Sequence, residues 1–209
     1  MSSDQECTII VSGGGVATPF LVAKNRVGES ELLGSLTRLS NEQGEVLHLP
    51  AELDIATVRF MPVADYLRTG DFAPHLIAKP GTLPQLEGLT RPEDNNDAAE
   101  KLAWVYNIAT KLSLGDLQML AMEKLRTLYP LSPLQLLVVT KIIVNGSDWD
   151  PQGSLMPWIV DHFAEYYFQL MEDHGKQLSR VLQSNDALRM GVHEKLASDP
   201  SMGLRGLDG

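Results

Sequence analysis

The chain has a single cysteine, Cys7, among its 209 residues. One cysteine excludes an internal disulfide and any zinc site built from several cysteines. No apolar run approaches the roughly 20 residues that a membrane span needs, and the first residues, MSSDQE, offer neither the basic region nor the apolar core of a signal peptide. We therefore expect a protein of a reducing compartment, cytoplasmic or nuclear, with no membrane partner.

Basic residues are also few. Lys and Arg together number 17 against 27 Asp and Glu, which gives a formal net charge of −10. Nucleic-acid affinity comes largely from Lys and Arg that neutralise phosphates, and this chain has no basic stripe. The sequence therefore predicts no direct nucleic-acid partner. A hydrophobic content of 44% in a chain of this length is enough to bury a sizeable core.

Motifs for catalysis are missing as well. No serine stands in a G-x-S-x-G turn, and the glycine-rich stretch 12–15 leads into a second strand rather than a helix, which disfavours a phosphate-binding loop. His162 and Glu165 share a helix face near His174, but without the paired histidines of a metalloprotease. We predict no catalytic residue, no cofactor and no metal. A small-molecule- or metal-binding enzyme domain that uses the face from His162 to His174 is the alternative.

Strands and a helix are predicted at the start of the chain. Residues 7–11 and 20–23 are β-prone, and the glycines between them suit a tight hairpin turn. The apolar spacing over residues 26–39 predicts one helix, with Ser30 in its first half.

The stretch from residue 45 to residue 72 predicts a short strand and then a helix. Asp54 is positioned to cap a helix over residues 55–69, and Gly70 would supply its left-handed end. Pro62 inside the helix predicts a kink. The residues expected on its inner face are Ile55, Val58, Met61 and Leu67.

A helical hairpin is predicted after a long loop over residues 78–96. Asp97 and Glu100 resemble a capping box at the start of the first helix, and Ser113 would cap the second. So short a joint predicts an antiparallel pair. The apolar stripes are Leu102, Val105, Tyr106, Ala109 and Leu112 on the first helix, and Leu114, Leu117, Ala121, Leu125 and Leu128 on the second.

Two of these segments carry a family resemblance. The helix end YLRTGDF at residues 66–72 and the hairpin text VYNIATKL at residues 105–112, followed by Leu117, Ala121, Lys124 and Leu125, resemble the BTB/POZ family in the expected order. PFLVAK at residues 19–24 and SELL at residues 30–33 are similar to its second strand and next helix. Ala23 stands where the family commonly has histidine, so the chain resembles a divergent member, with the helical extension of many fungal BTB proteins.

The resemblance implies an α+β fold in which a small mixed sheet packs on a cluster of helices. This BTB/POZ-like domain would span residues 1–129, an all-helical extension residues 130–199, and a flexible tail residues 200–209.

In the extension, Ser132 and Pro133 suit a helix start, although residues 134–144 would also suit a strand. A long helix is expected over residues 154–171, with His162 on its polar face, and shorter helices over residues 176–183 and 186–197.

The resemblance also implies function: a non-enzymatic protein–protein interaction module, a scaffold or adaptor that self-associates or joins a larger complex. A substrate adaptor of a Cullin-type ubiquitin ligase is an alternative. The first strand and first helices often carry the dimer contact in this family, which implies interface roles here for Val27, Leu32, Leu36 and Met61.

Overall fold

The computed structural model describes residues 6–13, 16–40, 46–78, 81, 83–89, 92–144, 150, 153 and 155–199. The chain divides into two compact units, Met1–Thr127 and Leu128–Gly209, whereas the predicted boundary followed Tyr129. Strands and helices combine in the first unit, and the described part of the second is helical. The α+β class is therefore confirmed.

Three strands form the main sheet of the first unit. Strand β1 (Glu6–Gly13) pairs antiparallel with β2 (Val16–Ala23) and parallel with β3 (Val46–His48), which gives the order β2-β1-β3. This confirms the hairpin and the mixed sheet. Because side chains alternate along a strand, one face of β1 is buried and supplies core residues; these are Cys7, Ile9 and Val11. Strand β2 lies at the edge of this sheet, and its Pro19 stands opposite Ile10.

The remaining elements of the first unit are helical apart from one short strand pair. They are α1 (Lys24–Val27), α2 (Glu31–Ser40), a 3-10 helix (Ala51–Leu53), α3 (Thr57–Thr69), β4 (Leu76–Ile77), β5 (Gln85–Leu86), α4 (Pro92–Lys111) and α5 (Gly115–Arg126). Helix α3 packs on β1 and β2, and α4 packs on both α3 and α5.

The predicted helix over residues 26–39 is interrupted. Ser30 stands between α1 and α2, where its Oγ accepts a hydrogen bond from the Leu33 N–H at 3.0 Å and donates one to the Leu112 carbonyl at 2.5 Å. The serine therefore caps α2 and ties its start to the end of α4.

The prediction for α3 was wrong in its start and in half of its inner face: Ile55 and Leu67 are buried as predicted, whereas Val58 and Met61 are exposed. Asp54 does not cap this helix: it has a φ of 47° at the end of the 3-10 helix, and Ala56 precedes α3. Contact with the sheet fixes the inner face, since the Phe60 ring lies 5.0 Å from that of Phe20. The buried residues are Phe60, Pro62, Val63, Ala64, Tyr66 and Leu67. Gly70 ends the helix with a φ of 88°, as predicted.

The predicted loop over residues 78–96 contains secondary structure. It includes β5, which pairs with β4, and the beginning of α4, which starts at Pro92 and not at Asp97. Ser113 has a φ of 54° and does not cap α5, whose N-cap residue is Leu114. Both predicted apolar stripes are nevertheless buried throughout.

The second unit contains four described helices. They are α6 (Pro133–Ile143), α7 (Met156–Glu165), α8 (Tyr167–Ser184) and α9 (Asp186–Ser198). The Ser132 Oγ accepts a hydrogen bond from the Gln135 N–H at 3.2 Å, which confirms a capped helix rather than a strand. Asp150 Oδ2 accepts from the N–H groups of Leu155 and Met156 at 3.0 and 2.7 Å and so caps α7.

The helix predicted over residues 154–171 was wrong as a single element. It breaks at Tyr166, which has a φ of −101° and a ψ of 13°. A second irregular residue, His174, interrupts α8 just before the predicted helix at 176–183. The predicted flexible tail over residues 200–209 lies outside the described residues.

Within the described parts of the chain, no helix has the length and apolar character to cross a membrane.

Substitution of Gly13 tests the packing of the sheet. A Cβ atom there would lie 2.7 Å from the Ile55 carbonyl oxygen and 2.9 Å from the Thr57 nitrogen, both of which belong to the backbone. We expect Gly13→Ala to lower the free energy of unfolding by about 1–3 kcal/mol because backbone must move to admit the methyl group. Urea unfolding followed by circular dichroism measures this change.

Gly34→Ala is the matched control. No atom lies within 4 Å of a Cβ built at Gly34 in α2, so the same methyl group should raise the free energy of unfolding by up to about 1 kcal/mol through helix propensity. Equal effects of the two substitutions would contradict the close packing of the Ile55 and Thr57 backbone against Gly13.

Candidate protein interaction site

A surface groove of about 450 Å³ lies between helices α3 and α4 of the first unit. Eight residues line it: Val58, Arg59, Met61, Pro62, Asp97, Glu100, Lys101 and Trp104. Both walls are helices that pack on each other and on the rest of the unit, so the groove is formed by regular secondary structure and not by a loop.

The α3 wall presents apolar side chains to solvent. Val58 is 71% exposed and Met61 is 55% exposed. They stand three residues apart, so they share one face of the helix, while Phe60 and Val63 on the opposite side fill the core. This wall of the groove therefore offers two neighbouring apolar side chains for contact with a partner.

The α4 wall contributes an aromatic ring with a stacked cation. The guanidinium carbon of Arg59 lies 3.4 Å from the centre of the Trp104 ring, and the Trp104 Nε1–H points to Glu100 Oε1 at 3.4 Å. Stacking holds the long Arg59 side chain in one place while the donors at its edge remain available. Trp, Arg and Met are the residue types enriched at protein interfaces.

Charges of both signs surround this apolar strip. Burial lowers the pKa of Lys101, and the negative charge of Asp65 opposes that change. Asp65 also accepts a hydrogen bond from Arg68 at 2.7 Å. The groove thus holds the cations Arg59 and Lys101 and the carboxylates of Asp97 and Glu100.

One of the four residues predicted at an interface lies in this groove. Met61 lines it, whereas Val27 is 1% exposed and belongs to the core of its own unit, so it offers no surface for contact. Leu32 and Leu36 are half-buried on α2 and do not line the groove. Arg59 and Trp104 were not predicted from the sequence. The sequence did contain one signal for this site: Trp104 is a large aromatic residue that lies outside the apolar stripe of α4.

A buried cation lies elsewhere in the first unit. Lys124 of α5 is 0% exposed. Its Nζ donates to Asp71 Oδ1 at 2.5 Å and to the Phe72 carbonyl, and it lies 3.9 Å from the centre of the Phe72 ring. Burial lowers the pKa of Lys124, although Asp71 favours its charged form.

Asp71 is the counter-ion of this cluster. Burial alone would raise the pKa of Asp71, but hydrogen bonds from Lys124, His75 and the Phe72 N–H lower it below its ordinary value. Lys124 is wholly enclosed, and its ammonium group binds the turn after α3, so this cluster has a structural role.

The histidine face proposed for the enzymatic alternative is arranged differently from the prediction. His162 does not point to solvent: it is 7% exposed, between the rings of Tyr129 at 4.3 Å and Trp158 at 4.4 Å. Neither ring nitrogen has a hydrogen-bond partner among the described residues. Burial lowers the pKa of His162, and the negative charges of Glu165 and Asp161 oppose that change.

Glu165 is engaged with a neighbouring phenol. Tyr129 Oη donates to Glu165 Oε2 at 2.8 Å. Burial, together with this bond and the carboxylate charge, raises the pKa of Tyr129 to about 12. The described residues contain no group of three or more His, Cys, Asp or Glu placed to hold a metal ion.

Comparison of the chain with protein-family models, with curated proteins and with solved structures finds no match in any of the three. The BTB/POZ resemblance therefore stays a prediction.

The Lys124 cluster predicts unequal effects of two substitutions. Asp71→Asn leaves a buried ammonium without its counter-ion, and we expect it to lower the free energy of unfolding by about 2 kcal/mol. This is less than the loss of a fully buried ion pair would cost, because Asp71 is itself partly exposed. Lys124→Met removes the buried charge but keeps most of the volume, so its cost should be below about 1 kcal/mol. Denaturant unfolding measures both, and a larger loss for Lys124→Met would contradict a buried charge at this position.

The buried imidazole predicts a pH dependence of stability. His162 is held neutral in the folded state, while an unfolded histidine takes up a proton near pH 6.5. Below that pH the unfolded state therefore binds the extra proton, and the free energy of unfolding should fall by up to about 1.4 kcal/mol per pH unit until the folded pKa is reached.

His162→Phe should flatten this dependence between pH 7 and pH 5 while keeping the ring stacking. The matched control is His193→Gln, at an exposed position on α9. Urea unfolding measures the loss of stability between pH 7 and pH 5. If the wild type and His162→Phe lose the same amount, the buried neutral histidine does not cause the pH dependence.

Proposed function

We propose that this protein is a non-enzymatic protein–protein interaction module, a scaffold or adaptor that acts by self-association or within a larger complex in the cytoplasm or nucleus. The single observation that supports it most is the groove between α3 and α4. Exposed Val58 and Met61 lie there beside a tryptophan and a stacked arginine.

The energetics of this surface favour a protein partner. Fully burying an aliphatic side chain contributes about 1.5–3 kcal/mol, and Val58 and Met61 are both more than half exposed in the chain by itself. A partner that covers them gains most of that contribution. Trp104 and Arg59 add the amphipathic contacts that often dominate binding energy.

Preorganisation supports the same conclusion. Both walls are helices, and the Arg59 side chain is already held against Trp104. A contact surface that needs little ordering loses less entropy on binding. The resemblance to BTB/POZ domains also supports association. The Cullin-type adaptor role depends on that resemblance alone and stays a prediction, as does the enzymatic alternative.

Site-specific photo-cross-linking tests this function. A benzoyl-phenylalanine residue replaces Met61 in the full chain, which is expressed in the cells it comes from and irradiated. We expect a discrete covalent product that contains a second protein chain, because the probe lies in the contact. The product should be lost when Val58→Lys is added, since the charge would be buried at the same surface.

The matched control carries the same probe at Met190, which is 57% exposed on α9 in the second unit. A yield at position 61 no higher than that at position 190 would show that this groove is not the contact surface.

A further inference from the structure

The groove has a direction, because its two helices run antiparallel. Arg59, near the start of α3, lies against Trp104 of α4. Asp65 stands later on α3 and is close enough to Lys101 for its charge to act on the ammonium group. A later position on α3 therefore faces an earlier position on α4, and the groove runs from Arg59 at one end to Asp97 at the other.

The exposed apolar residues lie toward the arginine end of the groove. Val58 stands directly before Arg59, and Met61 lies nearly one turn further along α3. On the facing wall, Asp97 precedes Trp104 by two turns of α4, which is about 10 Å along a helix. A partner therefore meets a surface about two turns long, apolar beside the cation and more polar toward the carboxylate.

Both end residues are available for a partner. Arg59 and Asp97 are exposed, and among the described residues neither has an ion-pair partner. Stacking of the Arg59 guanidinium on the Trp104 ring leaves the N–H donors at its edge free for an acceptor. The groove thus offers hydrogen-bond donors at one end and carboxylate acceptors at the other.

Walls of this kind accept a helix better than an extended segment. The backbone N–H and C=O groups of α3 and α4 are bonded within their own helices, so an extended segment would find no strand edge to pair with. Its own backbone groups would be buried without partners. A helix satisfies its interior backbone groups internally. Its free groups are N–H donors at the N-terminus and carbonyl acceptors at the C-terminus.

We propose that the groove binds a short amphipathic helix of a different protein, with the N-terminal end of that helix at Asp97 and its C-terminal end at Arg59. The Asp97 carboxylate then accepts hydrogen bonds from the free N–H groups, and the Arg59 guanidinium donates to the free carbonyls. Each charge also lies at the end of the helix dipole that it stabilises. The apolar face of the partner helix covers Val58 and Met61. This proposal rests on the proposed function and names the kind of partner.

The charge of the chain favours a different protein over a second copy. Each copy carries a formal net charge of −10, so two copies repel each other, whereas a neutral or basic helix meets no such repulsion. The surface is small, with two turns on each of two helices. We therefore expect a dissociation constant of about 1 µM or weaker.

Selection of helical peptides tests this mode of binding. Peptides of about 16 residues, with varied apolar residues on one helical face and neutral residues at both ends, are displayed on yeast and sorted for binding to the full-length chain. The enriched peptides should bind Met61→Lys at least about tenfold more weakly than the wild type, because the ammonium group would be buried against their apolar face. The matched control, Met190→Lys, changes an exposed methionine on α9 and should leave binding unchanged.

Photo-cross-linking of the enriched peptides measures the direction of the bound helix. Benzoyl-phenylalanine in place of Val58, at the arginine end, should attach mainly to the C-terminal half of the peptide. The same probe in place of Glu100, nearer to Asp97, should attach mainly to the N-terminal half, and mass spectrometry locates both attachments. The double variant Arg59→Glu, Asp97→Lys exchanges the two charges and should reverse the two halves. Misfolding cannot produce this reversal, because each sample is a bound complex with a measured direction.

Three results would overturn the inference: no enriched peptide whose binding depends on Met61, attachment of both probes to the same half of the peptide, or a direction that the double variant leaves unchanged. These results are separable from the proposed function. If the probe at position 61 captures a native partner in cells while the groove selects no helix, this mode of binding is ruled out and the interaction module stands. The absence of any native product at position 61 counts against the proposed function itself.

Discussion

One buried charge determines how the turn after α3 meets the helical hairpin of the first unit. The ammonium group of Lys124 on α5 is enclosed by Asp71, the Phe72 carbonyl and the Phe72 ring, all of which follow the end of α3. A buried cation without these groups would be costly, so the turn after α3 and the helical hairpin hold each other in place. Helix α4 packs on both α3 and α5, so the buried cation joins the two elements that flank one wall of the groove.

Two smaller hydrogen bonds connect the hairpin with the rest of the unit. Ser30 binds the Leu112 carbonyl, and the Lys111 ammonium donates to the Leu53 carbonyl at 2.9 Å. Both reach the same end of α4, one from the start of α2 and one from the segment before α3. Polar side chains at element ends thus position the helices, while the apolar stripes supply most of the stability. The exposed side of α3 takes no part in these attachments and can carry apolar residues for contact.

The sequence was informative where the determining contacts are local. Both hairpin stripes could be predicted because their apolar residues recur at the helical period. The inner face of α3 could not, because apolar residues occur all round that helix and Phe20 of a distant strand selects the face that contains Phe60. The stacking of Arg59 on Trp104 and the enclosure of His162 by Tyr129 also join residues far apart in the sequence, which no local pattern encodes.

Strand β2 runs along the border of the sheet, where an open row of peptide groups invites pairing with foreign strands and, in time, fibrous aggregates. Pro19 lies in the middle of that strand and brings no N–H to such a ladder. Proline is tolerated in border strands where the missing donor would have faced water. Pro19 therefore takes one donor away from the open edge of this β-rich segment, which disfavours templated misassembly along it.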